Sequence, residues 1–334
     1  MNPGSHSVFV TGGSGFVGRH IVRSLRTHGY AVRMLARRRP QAPDSLVEVV
    51  LGDLTQPESF APALEGVSTV IHAALTDGLT HDLEATSQLH KLSAAAGVRQ
   101  FLHLSTISIY GNPADGIISE ETLPLPSSDA YASTKQKIEE ALRMPPACAE
   151  VAILRLGCVY GPGGGWWTHG LLDMMARGKL ILVNGGTGYA NLIHVEDVAA
   201  LILLLMERPN PAFEIYNVTD GEPVSWSRYF AALENISGQP ATVSMSAAEA
   251  REHGRKWLRP SLPRRAIRKL TRAPNIFALD DRAIDTFASR AVYSNEKASR
   301  LLGFRPAYNF ENGIQSVRAE RGSIHGVLAP QALA

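Results

Sequence analysis

Thr11-Gly12-Gly13-Ser14-Gly15-Phe16-Val17-Gly18 follows a short apolar run beginning at Ser7. It opens a stretch, Arg19 to His28, in which Ile21, Val22 and Leu25 recur at helical spacing. A strand that ends in a glycine cluster and turns into a helix is the setting for dinucleotide binding. Side chains at Gly12 and Gly15 would block the tight turn and the close approach of a pyrophosphate. Gly18 lets the helix pack against the strand, while Phe16 and Val17 sit where the loop becomes helix. The first amides of that helix, and its dipole, then face the phosphates. The glycines alone would also suit an ordinary turn. Strand before and helix after give them their meaning.

Outward from this loop the chain alternates. Strands are predicted at Ser7 to Thr11, Ala31 to Leu35, Val47 to Leu51, Ser68 to His72, Phe101 to Ser105 and Val151 to Leu154. Helical spacing is found in Arg19 to His28, Leu83 to Ala96 and Tyr131 to Leu142. Val-, Ile- and Leu-rich strands separated by helices predict an α/β, Rossmann-type doubly wound parallel sheet covered on both faces. At 334 residues the chain is long for one core. The expected division is a dinucleotide-binding domain over 1–160, with 190–220 returning to it. A smaller substrate-binding domain is expected over 161–189 and 221–330.

Composition narrows the functional classes. Hydrophobic residues make up 45% of the chain and charged residues 19%, which excludes a disordered polymer. A net charge of +2 gives no general attraction to nucleic acid. The longest apolar run, Val198 to Met206, is far short of the ~20 residues of a membrane span and reads as a buried helix. Two cysteines, Cys148 and Cys158, make no disulfide framework and fit a reducing cytoplasm. No secretory pattern is visible at the start, and no metal-ligand set is expected.

The end of the second strand bears on which dinucleotide is bound. An NAD site commonly has a carboxylate there; this chain has Ala36-Arg37-Arg38-Arg39. Arg37 favours a 2′-phosphate, and hence NADP over NAD, although a solvated arginine loop has the same sequence. Asp53, in Gly52-Asp53-Leu54 after the third strand, suits the adenine amino group or simply a turn.

Tyr131 and Lys135, four residues apart, share a helix face. A phenol titrates near pH ~10. A neighbouring ammonium lowers that value, so the pair suits acid–base work on a hydroxyl or carbonyl. A chance Tyr/Lys pair is common. This one follows Ser105-Thr106-Ile107 at the carboxyl end of the fifth strand, where open parallel sheets hold ligands.

With these pieces in order, the chain resembles the extended short-chain dehydrogenase/reductases. The similarity also rests on His72-Ala73-Ala74, Tyr110-Gly111, Arg155 with Tyr160-Gly161-Pro162-Gly163, His194 to Asp197, and Lys297 to Pro306. It covers essentially the whole chain. By position, the resemblance implies that Thr106 hydrogen-bonds the reacting oxygen and that Tyr131 exchanges the proton. It implies that Lys135 binds the nicotinamide ribose and lowers the tyrosine pKa. Cofactor contacts are implied for Gly12, Gly15, Phe16, Val17, Gly18, Arg37, Asp53, Leu54, Ala73, Ala74 and Ser105. His194 and Asp197 are read as structural. A homodimer is also implied.

The substrate side is less legible. The nucleotide-sugar branch of that family has an asparagine where this chain has Cys158, and an arginine near Tyr189 to Ile193. Dehydratases often carry Asp-Glu where Ile107-Ser108 stands. The remaining features resemble the 3β-hydroxysteroid dehydrogenase and dihydroflavonol reductase branches. Trp166 and Trp167 either line an apolar substrate pocket, with Ile107, or anchor their loop. Between Arg251 and Arg272 nine basic residues face one acidic residue, Glu252. They suit an anionic substrate, an anionic membrane surface or a solvated helix face. The expected function is NAD(P)-dependent hydride transfer to or from a carbonyl or secondary alcohol of a largely apolar or anionic small molecule. The alternatives are a nucleotide-sugar epimerase or dehydratase with tightly bound NAD, and a non-enzymatic NAD(P) sensor.

Overall fold

The computed structural model describes residues 7–40, 45–76, 78–126, 129–145, 147–208, 211–258 and 275–328. Its central sheet has seven parallel strands. The first five are β1 (Ser7–Thr11), β2 (Ala31–Ala36), β3 (Val47–Leu51), β4 (Val67–His72) and β5 (Gln100–Thr106). The others are Glu150–Leu156 and Phe213–Val218. Across the sheet the order runs Phe213–Val218, Glu150–Leu156, β5, β4, β1, β2, β3. Six of these strands are predicted from the sequence. Phe213–Val218 is not, although it pairs in full register with Val151 to Leu156.

Both faces of the sheet are covered, as near-continuous apolar strands require. Helix α1 (Phe16–Thr27) and helix Val195–Glu207 pack on one face. There Ile21, Leu25, Val198, Leu201, Ile202 and Leu205 join Val8 and Val10 of β1 in one apolar cluster. The predicted buried run Val198 to Met206 lies in that second helix. On the other face α2 (Leu79–Ala95) and α3 (Ala130–Arg143) pack together over Phe9, Val70 and Phe101. A separate apolar cluster gathers Leu171, Leu172, Trp226, Tyr229, Phe230 and Phe287.

The strand order reverses between β1 and β4, which places a crevice at their carboxyl ends. The glycine loop leaves β1 on one side of it, and Ala73-Ala74 leave β4 on the other. Gly12 has φ +72, and a Cβ there would lie 2.6 Å from the Ala73–Ala74 peptide. Only glycine lets these two chain segments meet. Gly18 packs against the loop, not the strand: its Cβ would lie 2.0 Å from the Gly12 carbonyl oxygen. Gly15, extended at φ −74 and ψ 176, caps α1, so the helix starts at Phe16 and not at Arg19. The one atom near a Cβ at Gly15 would be the Gly12 oxygen at 3.2 Å, which leaves its outer side open. A cradle that side chains would fill, at a helix amino terminus, fits a pyrophosphate.

Candidate active site

Helix α3 carries the centre of the site. Asp129 caps it, accepting from the amides of Tyr131 and Ala132, both at 3.2 Å. The face turned inward holds Ala132, Lys135, Ile138, Glu139 and Leu142, spaced as a helix buries one side. Two of those five are charged. Each therefore needs a partner, because an unpaired buried ion is severely disfavoured. Glu139 meets Arg155, whose Nη2 donates at 2.7 Å. Lys135 meets Asp82 of α2, Nζ to Oδ2 at 3.1 Å, and both side chains are only 2% exposed.

Tyr131 sits one turn above this pair, and Thr106 ends β5 beside it. The Thr106 side chain lies close enough to the Tyr131 phenol to work against a rise of its pKa. The Thr106 Oγ1 accepts from the Ser108 amide at 3.1 Å, which orients it at the start of a tight turn. Two of the residues expected to act on one oxygen are thus neighbours, and Lys135 follows one turn later. Glycine loop, Thr106 and Tyr131 all stand at the carboxyl end of the sheet.

The electrostatics differ from expectation. Burial pushes the Tyr131 phenol above its ordinary pKa. The cation opposing that rise is Arg282, whose guanidinium lies 5.0 Å from the Tyr131 ring centroid. Thr106 also opposes it, while the carboxylates of Asp82 and Asp129 reinforce it. The expected lowering of the Tyr131 pKa by Lys135 is not found. The reason is Asp82: a carboxylate in contact with the ammonium largely cancels its field at the phenol. Burial also lowers the pKa of Lys135 itself, against the opposing charge of Asp82. Neither Asp82 nor Arg282 is marked by local sequence spacing.

Other expected site residues divide. Ala73 and Ala74 border the glycine loop, and the Ala73 amide donates to the Thr11 carbonyl at 3.2 Å. Ser105 faces inward and donates its hydroxyl to Glu139 at 2.5 Å, beneath the site. The same buried network continues through Arg155 to the Tyr110 hydroxyl at 2.7 Å and on to Asn217 at 2.8 Å. Arg37 is exposed at the end of β2. Asp53 behaves first as a turn residue: Oδ1 accepts from the Thr55 amide at 2.9 Å and from its hydroxyl at 2.8 Å. These bonds, with Arg37 nearby, hold its carboxyl below the usual range. Leu54 is buried.

The tryptophans separate. Trp167 packs into the second apolar cluster, its ring 5.4 Å from Trp226, and its carbonyl accepts from the Tyr229 hydroxyl at 2.5 Å. It anchors the loop. Trp166 is 60% exposed. Ile107 packs toward Ile109, Tyr110 and Tyr293. The loop from Gly161 to Gly165 folds back onto α1: a Cβ at Gly165 would lie 2.5 Å from the Phe16 ring, and His20 Nε2 is 3.0 Å from the Pro162 carbonyl oxygen. Phe16 thus takes part in loop packing. Cys158 is buried, and burial pushes its thiol pKa far up. His194 stacks on Tyr308, and Asp197 accepts from the Ala307 and Tyr308 amides, which agrees with structural roles. Of the basic run, Arg259, Arg264, Arg265, Arg268, Lys269 and Arg272 lie outside the described residues. Among described residues, no helix is long and apolar enough to cross a membrane.

Comparison with known proteins agrees with this geometry. The sequence profile of the NAD dependent epimerase/dehydratase family matches residues 8–219. A ceramide reductase of Caulobacter vibrioides is 33% identical over 236 residues, covering 69% of this chain and 70% of the relative. A 2-alkyl-3-oxoalkanoate reductase of Stenotrophomonas maltophilia is 25% identical, covering 93% of this chain and 98% of the relative. The solved structure of MoeE5 in complex with UDP-glucuronic acid and NAD shares the fold. Its TM-score is 0.72 at 24% identity, over 95% of this chain and 99% of that one. The chain therefore belongs to the NAD dependent epimerase/dehydratase family and is an NAD(P)-dependent oxidoreductase of the extended short-chain dehydrogenase/reductase type.

Proposed function

We propose that the protein reduces a ketone of a largely apolar small molecule, or oxidises the matching secondary alcohol, with Tyr131 as the proton-exchanging group. The observation that carries this reading is the placement of Thr106, at the carboxyl end of β5, next to the Tyr131 phenol, on the same edge of the sheet as the glycine cradle. Two hydroxyls side by side can hold one carbonyl oxygen between them. The bound nicotinamide supplies or accepts the hydride. Thr106 orients the oxygen, and Tyr131, kept protonated at neutral pH by its burial, donates to it. Lys135, fixed by Asp82, is assigned to the ribose of the cofactor. Gly12, Gly15 and Gly18 shape the pyrophosphate cradle. The two relatives named above, both reductases, support reduction over epimerisation, as does Cys158 in place of an amide-bearing diphosphate contact.

The cofactor is assigned to residues 1–160 and 190–220, and the substrate to 161–189 and 221–330. The separate apolar cluster around Trp226 and Phe287 supports that division. The two cysteines, both buried and free, support a cytoplasmic setting. The family resemblance supports a homodimer.

The test is a screen of 3-oxo acids, their esters and long-chain ketones with NADPH and NADH, followed by nicotinamide absorbance. Reduction of a ketone supports the reading. A purified protein that retains nicotinamide and interconverts UDP-sugars without net oxidation overturns it.

Arg37 makes NADPH the preferred form. Replacing Arg37 with Glu is expected to weaken NADPH about 10- to 100-fold, the loss of one charge-assisted contact of ~1.5–3 kcal/mol. NADH is expected to change much less. Fluorescence titration of both cofactors measures it, and equal shifts would rule out a phosphate contact.

A further inference from the structure

We propose that Arg282 is the anchor for a substrate carboxylate, so that the ketone reduced at Tyr131 belongs to a 3-oxo acid. The inference deepens the reductase reading and rests on Tyr131 being the reacting group.

Arg282 opens the helix Asp281–Ala288, far from Tyr131 in sequence, yet its guanidinium carbon lies 5.0 Å from the Tyr131 ring centroid. Its Nε is 3.1 Å from Asp129 Oδ2, and the side chain stays 47% exposed. A guanidinium has five donors in a planar fork. With its closest approach to Asp129 through Nε, the exposed side chain keeps terminal nitrogens with which to take a second carboxylate in the bidentate manner. The acidic groups around it are already committed. Asp129 caps α3, and Asp280 caps the helix that carries Arg282 by accepting from the Ala283 amide at 2.7 Å. Asp281 and Asp285 both pair with Arg251. The local field is therefore less hostile to an arriving anion than the run of aspartates suggests.

Chemistry selects the class of anion. The cation stands beside the group that hands a proton to the ketone oxygen. One molecule reaches both only if its carboxylate is close to its ketone. In a 3-oxo acid a single carbon separates them. The alkyl remainder then lies toward the apolar substrate side. The name of the 2-alkyl-3-oxoalkanoate reductase describes such a molecule, which supports the assignment.

The test is a binding measurement that needs no turnover. Protein loaded with NADP is titrated with 3-hydroxydecanoate and with its methyl ester, reading tryptophan fluorescence and checking by calorimetry. The acid is expected to bind at least about tenfold more tightly than the ester, a difference of ~1.4 kcal/mol. In Arg282→Gln that preference is expected to fall to about twofold or less, through weaker binding of the acid with the ester unchanged. NADP affinity in the variant serves as the check on folding. Equal affinity for acid and ester, no binding of the acid, or a preference that survives in Arg282→Gln each overturns the proposal. Failure of the reductase reading shows elsewhere, as full turnover in a Tyr131→Phe enzyme or as no ketone reduction at all.

Discussion

Tyr131→Phe is expected to lower kcat by about 10²–10⁴-fold, the usual contribution of a positioned acid or base. Cofactor affinity should stay within about twofold, because the lost hydroxyl is assigned to the substrate oxygen. The environment of the phenol sets the direction of its pH dependence. Burial raises its pKa, with Arg282 and Thr106 opposing and Asp82 and Asp129 adding to the rise. At neutral pH the phenol is thus protonated and ready to donate. Ketone reduction should be flat through neutrality and fall only as the pH climbs through the phenol pKa. Alcohol oxidation, which needs the phenolate, should rise with pH over the same span. Both limbs should vanish in Tyr131→Phe. Measuring kcat for reduction and oxidation against pH in both enzymes decides the matter, and undiminished turnover in the variant removes Tyr131 from the chemistry.

The fold was largely readable because its determinants are local. A buried parallel strand announces itself as a short run of Val, Ile and Leu, and Gly12 and Gly18 are required by contacts within the loop and with the strand beside it. Tyr131 and Lys135 share a helix, so their spacing is visible. The strand Phe213–Val218 carries no such signal, because it starts with the mixed Phe213-Glu214 pair at the sheet edge. What spacing cannot show is which residue of a distant element ends beside a given side chain. Asp82 comes from α2 and Arg282 from a helix near the end of the chain; burial and Asp82 raise the Tyr131 pKa, and it is Arg282, not Lys135, that opposes the rise. Spacing likewise does not show that the Ser105 hydroxyl turns to Glu139 or that the Trp167 ring packs on Trp226. Strand and loop positions reveal proximity to a site, not whether a side chain turns toward the crevice or toward the core.

Asp82→Asn should separate the two duties of the buried Lys135 pair. Removing one partner leaves an ammonium that is 2% exposed without its counter-charge, a change that costs about 3–5 kcal/mol in comparable pairs. The loss should depend on pH in a defined sense. Burial lowers the folded-state pKa of Lys135, and Asp82 partly restores it, so the variant lowers that pKa further. A lysine with a depressed folded pKa gains folding stability as pH rises from that value toward its unfolded one, since the unfolded chain then holds more protons. The deficit relative to the parent protein should therefore be largest below the folded-state pKa and shrink as the pH rises toward the ordinary lysine range, as read by urea unfolding across that span. Catalysis should respond separately. Asp82 raises the Tyr131 pKa, so its removal moves the alkaline limb of ketone reduction to lower pH. Replacing both partners, Asp82→Leu with Lys135→Met, should recover most of the stability, because apolar groups of similar size carry no buried charge. That double variant should stay poorly active, having no ammonium to hold the cofactor ribose. A deficit below about 1 kcal/mol and constant with pH would mean that Asp82 does not hold Lys135 in its charged state.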